Sequence, residues 1–235
     1  MKALRSMHFF KSLRIFLLTT TATLLVAACS TLSFKVEKAT ASFPTYPETS
    51  FAVFSDPHIF LPELGIGQPS FEKIKYDDRK IFEHSMSLLD TVIGKIIEAR
   101  PCFVLVPGDL SKDGEEAVHL AFAAAMEKIE SAGIPVFVIP GNHDVNNPEA
   151  VKYEGNTTSR IPNVTPQRFV EIYKDFGYGA AIERDPNSLA YVVEPEPGLW
   201  LLALDACRYD LSLKQTHEHT GGSFTPERLE WVKKI

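Results

Sequence analysis

Three short apolar runs set the pattern of this chain. Phe51 to Phe54, Cys102 to Val106 and Pro135 to Ile139 are nearly continuous stretches of aliphatic and aromatic residues, of the length of buried strands. Between them, apolar residues recur at helical spacing. In Arg79 to Ala99 the pairs Ile81/Phe82, Leu88/Leu89, Val92/Ile93 and Ile96/Ile97 mark one face, with Asp77 or Asp78 placed to cap it. Gly114 to Ala132 reads as a second helix closed by Gly133. Strand, helix, strand, helix, strand predicts an α/β fold with a parallel sheet and crossover helices. Ile59 to Asp78 reads as a long loop, and Asn146 to Pro162 as irregular chain. Thr165 to Phe176 is predicted helical, with Thr165 as N-cap and Gly177 behind it. Leu189 to Glu194 and Leu199 to Leu204 predict two strands joined around Pro195 to Gly198. Thr225, followed by Pro226, opens a last helix.

Each apolar run delivers chemistry at its C-terminal end. The first leads into Ser55-Asp56-Pro57-His58, the second into Pro107-Gly108-Asp109-Leu110, the third into Gly141-Asn142-His143-Asp144. In open α/β sheets that edge is where ligands sit. Asp109 follows Asp56 by 53 residues and Asn142 follows Asp109 by 33, so each interval holds one helix-containing crossover. If the strands lie side by side, the three loop ends converge. Mixed oxygen and nitrogen donors without thiolate suit Mn, Fe or Zn rather than a Cys-rich structural zinc. Two metals bridged by one carboxylate would hold a water as hydroxide and polarise a phosphoryl oxygen. Taken singly, Asp56, Gly108-Asp109 and Asn142 also read as turn formers. His84 and His119 fall on predicted helices and read as surface or satisfied residues. Asp205 ends a strand and reads either as a support behind the site or as a cap.

Asp-x-His, Gly-Asp and Gly-Asn-His-Asp, in this order and at these distances, resemble the calcineurin-like metallophosphoesterase superfamily over about Phe51 to Ile235. The resemblance implies an α/β/β/α sandwich. It implies Asp56 and His58 as ligands of a first metal, Asp109 as the bridge and Asn142 as a ligand of a second. It makes His143 the group that protonates the leaving oxygen or stabilises the transition state, with Asp144 orienting and charging that imidazole. Two divalent or trivalent ions in the complete domain and a phosphorylated small-molecule substrate follow from it, with monoester, diester and pyrophosphate all open. Many members carry Asp three residues after the bridging Asp. Here that slot is Lys112, which argues against a role for Asp113. Lys112 also stands where purple acid phosphatases have Tyr, and Val145-Asn146 after Asp144 departs from the protein Ser/Thr phosphatase pattern. The family's later histidines, one alone and then a Gly-His-x-His pair, lie beyond the helix that begins near Thr225. His217-Glu218-His219 lacks the glycine and precedes that helix. The chain therefore reads as the N-terminal part of the domain, with part of the second sheet missing. It is expected to bind about one metal or fewer and to turn over slowly. The alternative is a truncated, non-catalytic lipoprotein that binds at most one metal or a phosphorylated ligand.

Composition adds a compartment. The chain has 235 residues and 45% hydrophobic residues, enough for one domain with a real core. Lys2, Arg5, Lys11 and Arg14 form a basic leader, and Ile15 to Ala28 is a 14-residue run, nearly all apolar or Thr. That is short of the roughly 20 residues of a spanning helix and reads as a signal peptide over 1-28. Val26-Ala27-Ala28-Cys29 resembles the lipobox of bacterial lipoproteins, which implies Cys29 as the lipidated N-terminus and a membrane-anchored protein outside the cytoplasm. Ser30 implies the outer membrane by enterobacteria-like sorting. The alternative is an ordinary signal peptide cut near Ala28. Residues 29-50 read as a tether and 51-235 as the domain. Without the leader, 20 basic residues face 30 acidic ones, a balance of −10 that argues against a nucleic-acid-binding surface. Cys102 and Cys207 read as free thiols or as a disulfide pair.

Overall fold

The computed structural model describes residues 45–235. The segments read as leader and tether, up to residue 44, and Cys29, the expected lipidation site, lie outside the described residues. No helix among the described residues is long and apolar enough to cross a membrane.

The three apolar runs are strands β1 (Phe51–Val53), β2 (Phe103–Val106) and β3 (Val136–Val138), and they form one parallel sheet in the order β1-β2-β3. β2 is central, with Phe103, Val104 and Val106 buried, whereas Phe51 and Val53 on the edge strand are about half exposed. The parallel pairing continues beyond the strands. Asp56 N–H donates to Gly108 O at 3.2 Å, His58 N–H to Asp109 O at 3.0 Å and Ile59 N–H to Leu110 O at 3.0 Å. The first two site loops are thereby zipped together by backbone bonds, which fixes their side chains relative to each other.

The Ile59 to Asp78 stretch is not a simple loop. It carries helix α1 (Pro69–Asp78), opened by Pro69 and closed by Arg79 in the left-handed region at φ 55°. Its sequence has little helical periodicity, because one tertiary cluster holds it. Phe71 is fully buried, stacked on Phe60 at 5.7 Å and edge-on to Tyr153 at 5.4 Å. Asp77 and Asp78 fall within α1, and the N-cap position of the next α-helix is His84. A one-turn 3-10 segment, Phe82–His84, intervenes before α2 (Ser85–Ala99). Of the apolar pairs, Phe82, Leu89, Ile93 and Ile96 are buried, while Ile81, Leu88 and Val92 stay exposed. α3 (Glu116–Glu130) buries Val118, Phe122, Met126 and Ile129 and packs beside α2.

The second correction is the segment read as irregular after Asn146. It contains the antiparallel hairpin β4 (Val151–Glu154) and β5 (Thr157–Arg160). Gly155, at φ 59°, and Asn156 make its two-residue turn, and that dipeptide was the overlooked signal. Ser70 N–H donates to Gly155 O at 2.9 Å, and Gly155 N–H to Gln68 Oε1 at 3.0 Å, so the hairpin tip is bound to the start of α1.

A second sheet is antiparallel: β6 (Glu183–Arg184), β7 (Tyr191–Glu196) and β8 (Leu199–Ala203), in the order β6-β7-β8. Tyr191 Oη donates to Val138 O at 2.9 Å and ties this sheet to the first. α4 (Pro166–Ile172) is capped by Thr165 as expected, with Arg168 N–H on Thr165 Oγ1 at 3.2 Å, and the chain kinks after it around Gly177. One turn, α5 (Tyr209–Ser212), precedes α6 (Pro226–Lys234), whose Trp231 packs on Ala190 and Val192. Cys102 and Cys207 are both free thiols.

Candidate metal centre

The loops after β1, β2 and β3 meet at one point. Ligand-type atoms of His58, Asp109 and His143 all lie within 4.8 Å of one another. His58 Nε2 stands 3.7 Å from Asp109 Oδ2 and 3.9 Å from Asp56 Oδ1. The convergence has a backbone origin: Asp56, His58 and Asp109 all lie at positive φ, 55°, 37° and 49°. Non-glycine residues seldom adopt that region, and strain of this kind clusters at functional sites. Glycines make the close approach of the loops feasible. A Cβ at Gly108 would collide with the backbone at Gly141, and one at Gly141 would overlap the Asp109 carboxylate.

The electrostatics suit a cation. Burial first, then the Lys80 and His143 charges, pull the His58 imidazole down to about 4. It is therefore neutral and able to ligate at ordinary pH. Its Nδ1 lies 3.3 Å from Ser111 O, leaving Nε2 toward the carboxylates. Lys80 Nζ also stands 3.3 Å from that Nδ1. Asp109 is pushed up to about 6, by burial first and then by the nearby Asp144 and Asp56. A carboxyl held against its own ionisation, beside a neutral imidazole, is what a bound cation would relieve. The donor set thus fits a divalent ion. Asp56 is well exposed, and its carboxylate accepts from Ser55 Oγ. Asn142 is half-buried beside His143, with no side-chain hydrogen bond among the described residues.

His143 and Asp144 are neighbours with different surroundings. His143 N–H donates to Asp109 Oδ1 at 3.1 Å, and its ring meets the His58 ring edge-on at 4.8 Å. The carboxylate on its Nδ1 is Asp113, at 3.2 Å, and Glu218 Oε1 lies 3.9 Å from its Nε2. Burial pulls this imidazole down, but the Asp113 hydrogen bond and the Asp109 and Asp113 charges prevail over burial and Lys80, so it titrates above its ordinary value. Asp144 does not orient it. Asp144 is fully buried and accepts from Leu110 N at 2.9 Å, Ser111 N at 3.0 Å, Ser111 Oγ at 2.9 Å and Gly141 N at 2.8 Å. It clamps the second and third loops together. The carboxylate expected behind the ring is thus that of Asp113, whose role Lys112 in the usual Asp slot puts in doubt, and not that of Asp144. Gly114 at φ 77° and the bend around it carry the Asp113 carboxylate under His143 although it stands four, not three, residues after Asp109.

His217 and His219 are not in the donor cluster among the described residues. His217 Nδ1 lies by Glu218 O, and His219 Nδ1 by Gln215. Their neighbour Glu218 is the residue that reaches His143, and only its place between two histidines could have flagged it. His84 is exposed. His119 is fully buried and satisfied by Tyr173 Oη at 2.7 Å and Asp144 O at 3.0 Å. Asp205 is a buried anchor that accepts from Leu189 N, Cys207 N and Tyr209 Oη.

Two comparisons bear on this geometry. A family model described as calcineurin-like phosphoesterase matches residues 49–226. The DNA double-strand break repair protein Mre11 of Methanococcus maripaludis is 36% identical over 91 residues, 37% of this chain. That match spans 22% of the relative's own length.

Proposed function

The chain belongs to the calcineurin-like phosphoesterase family, and on that premise we propose that it hydrolyses a phosphoester at a centre for two metal ions. Asp56 and His58 would hold one ion, Asn142 the other, and Asp109 both. The observation that carries this assignment is the position of Asp109. One carboxylate oxygen faces His58 Nε2 at 3.7 Å, and the other accepts from His143 N at 3.1 Å, so a single side chain serves both halves of the site. Ions of the Mn, Fe or Zn type supply polarisation of a phosphoryl oxygen and acidification of water when bound in such a site. His143 would deliver a proton to the departing oxygen, and Asp113 would hold its Nδ1 so that Nε2 faces the substrate. The DNA repair named for the Methanococcus maripaludis relative is not carried over, because the shared segment is short and this chain has a net charge of −6. Val26-Ala27-Ala28-Cys29 supports anchoring through Cys29 in a bacterial envelope.

Metal analysis of two variants tests the roles. Asp109→Asn removes the shared charge and should lower metal content. His143→Ala should retain metal and slow hydrolysis of p-nitrophenyl phosphate by about 10²- to 10⁴-fold. Equal metal loss in both would make His143 a ligand and overturn the division.

A further inference from the structure

Resting on that reading of His143, we propose that the substrate's leaving group is a polar alcohol without negative charge. It is held in the cavity between α1, the β4–β5 hairpin and the loop after His143. Two cavities flank the donor cluster. One, of about 360 Å³, is lined by Asp56, His58, Lys80 and apolar residues of α2 such as Leu88 and Val92. The other, of about 640 Å³, is lined by His143, Asp113, Tyr153 and Thr158, and by the carboxyls discussed next. His143 lines the second and not the first. In an in-line displacement at phosphorus the attacking and leaving oxygens lie on opposite sides. The acid must be within hydrogen-bond reach of the leaving oxygen. When that P–O bond breaks, the electron pair stays on the leaving oxygen and the proton comes from His143. The departing group therefore occupies the cavity that His143 lines.

The charge on the walls decides what it can be. Asp78, Asp113, Glu149 and Glu218 face Lys112 and Arg160 there. Lys112 is engaged, paired with Asp113 and 3.8 Å from Asp78. Glu218 N–H donates to Glu149 Oε2 at 3.4 Å, which brings the two acids together at the rim beside the His143 ring. Burial, and then Glu218, push the Glu149 carboxyl up to about 7, so the pair can both accept from and donate to a hydroxyl near neutrality. A second anion between these walls would be repelled at short range, where salt screens poorly. Arg160, on the exposed strand β5, also lines this cavity. The volume suits a small ligand, and the polar walls offer acceptors for several hydroxyls.

A matched pair of substrates tests this. Glycerol 3-phosphate and 3-phosphoglycerate release alcohols of similar size, one neutral and one carrying a carboxylate. Manganese-loaded chain should favour glycerol 3-phosphate by at least about tenfold in kcat/KM. Isothermal titration with the methylene-phosphonate analogues of both should show the same order of affinity without turnover. In the Glu149→Gln/Glu218→Gln variant the preference should shrink to within about threefold. Equal use of the two substrates, or preference for the carboxylate, overturns the proposal, and the wild-type ratio alone decides it if the variant does not fold. Metal-dependent hydrolysis of p-nitrophenyl phosphate without discrimination in the pair overturns the cavity assignment alone. No hydrolysis of any of the three overturns the phosphoesterase reading and this proposal with it.

Discussion

Asp113 Oδ1 lies 3.2 Å from His143 Nδ1, although the two residues are 30 apart in the chain. The adjacent Asp144 turns its carboxylate the other way, into the backbone of Leu110, Ser111 and Gly141. One acid positions the imidazole and the other holds the loops.

These two roles separate by measurement. Asp113→Asn should leave metal content near wild type and lower kcat by on the order of 10²-fold or more, as the ring loses its charged partner; it should also lower the melting temperature, because the buried Lys112 loses its ion-pair partner. Asp144→Asn should destabilise the fold by about 1–3 kcal/mol, because an amide cannot accept from all those donors and a buried one is left unpaired. A catalytic defect with an unchanged melting point in Asp144→Asn would restore it as the orienting group.

A glycine pair tests the close approach of the loops. Gly141→Ala puts a methyl into the Asp109 carboxylate, so metal affinity should fall by roughly tenfold or more. Gly94→Ala, on the exposed face of α2 with nothing within 4 Å of the new methyl, should raise stability by about 0.5–1 kcal/mol. Similar metal affinity in both variants would show that the Gly141 contact is not limiting.

Glu115 gives a pH dependence of stability. Its side chain is fully buried, Oε2 accepts from Asp113 N at 2.9 Å, and Oε1 has no hydrogen-bond partner. Burial first, then the Asp113 charge, raise its carboxyl from an ordinary 4.5 to about 7. A folded value above the unfolded one means a contribution that is full below about pH 4.5 and lost as pH rises through about 7. Glu115→Gln keeps an acceptor for Asp113 N–H and sheds the charge. Relative to wild type, its unfolding free energy, followed by thermal or denaturant unfolding, should rise between pH 5 and pH 8 by on the order of 2 kcal/mol. A difference that does not change with pH across that window would refute the buried-charge account.

The anchor is tested at Cys29. Cys29→Ser should move the protein from the membrane fraction to the soluble or precursor pool and abolish any lipid mass on the mature chain. Unchanged membrane partition, with no lipid on the wild type, would defeat the lipoprotein reading.

The apolar runs and the residues that end them were legible in the sequence because strand burial and loop chemistry are local. Short continuous runs of Val, Phe and Leu read as strands, and acid, imidazole and amide groups at three successive strand ends implied convergence once the strands paired in order. Thr165 and Thr225 declared their helices for the same reason, since a cap acts on N–H groups three residues away. Tertiary structure alone decided the rest. α1 has no periodic face of its own and exists because Phe71 completes a cluster with Phe60, Phe82 and Tyr153, drawn from four segments. The partner of His143 depended on which way two neighbouring side chains point and on where a bend at Gly114 carries Asp113, neither of which residue order encodes. Glu218 reaches the same imidazole from 75 residues away, and contacts closed over such distances are set by the packing of the whole fold rather than by any local pattern.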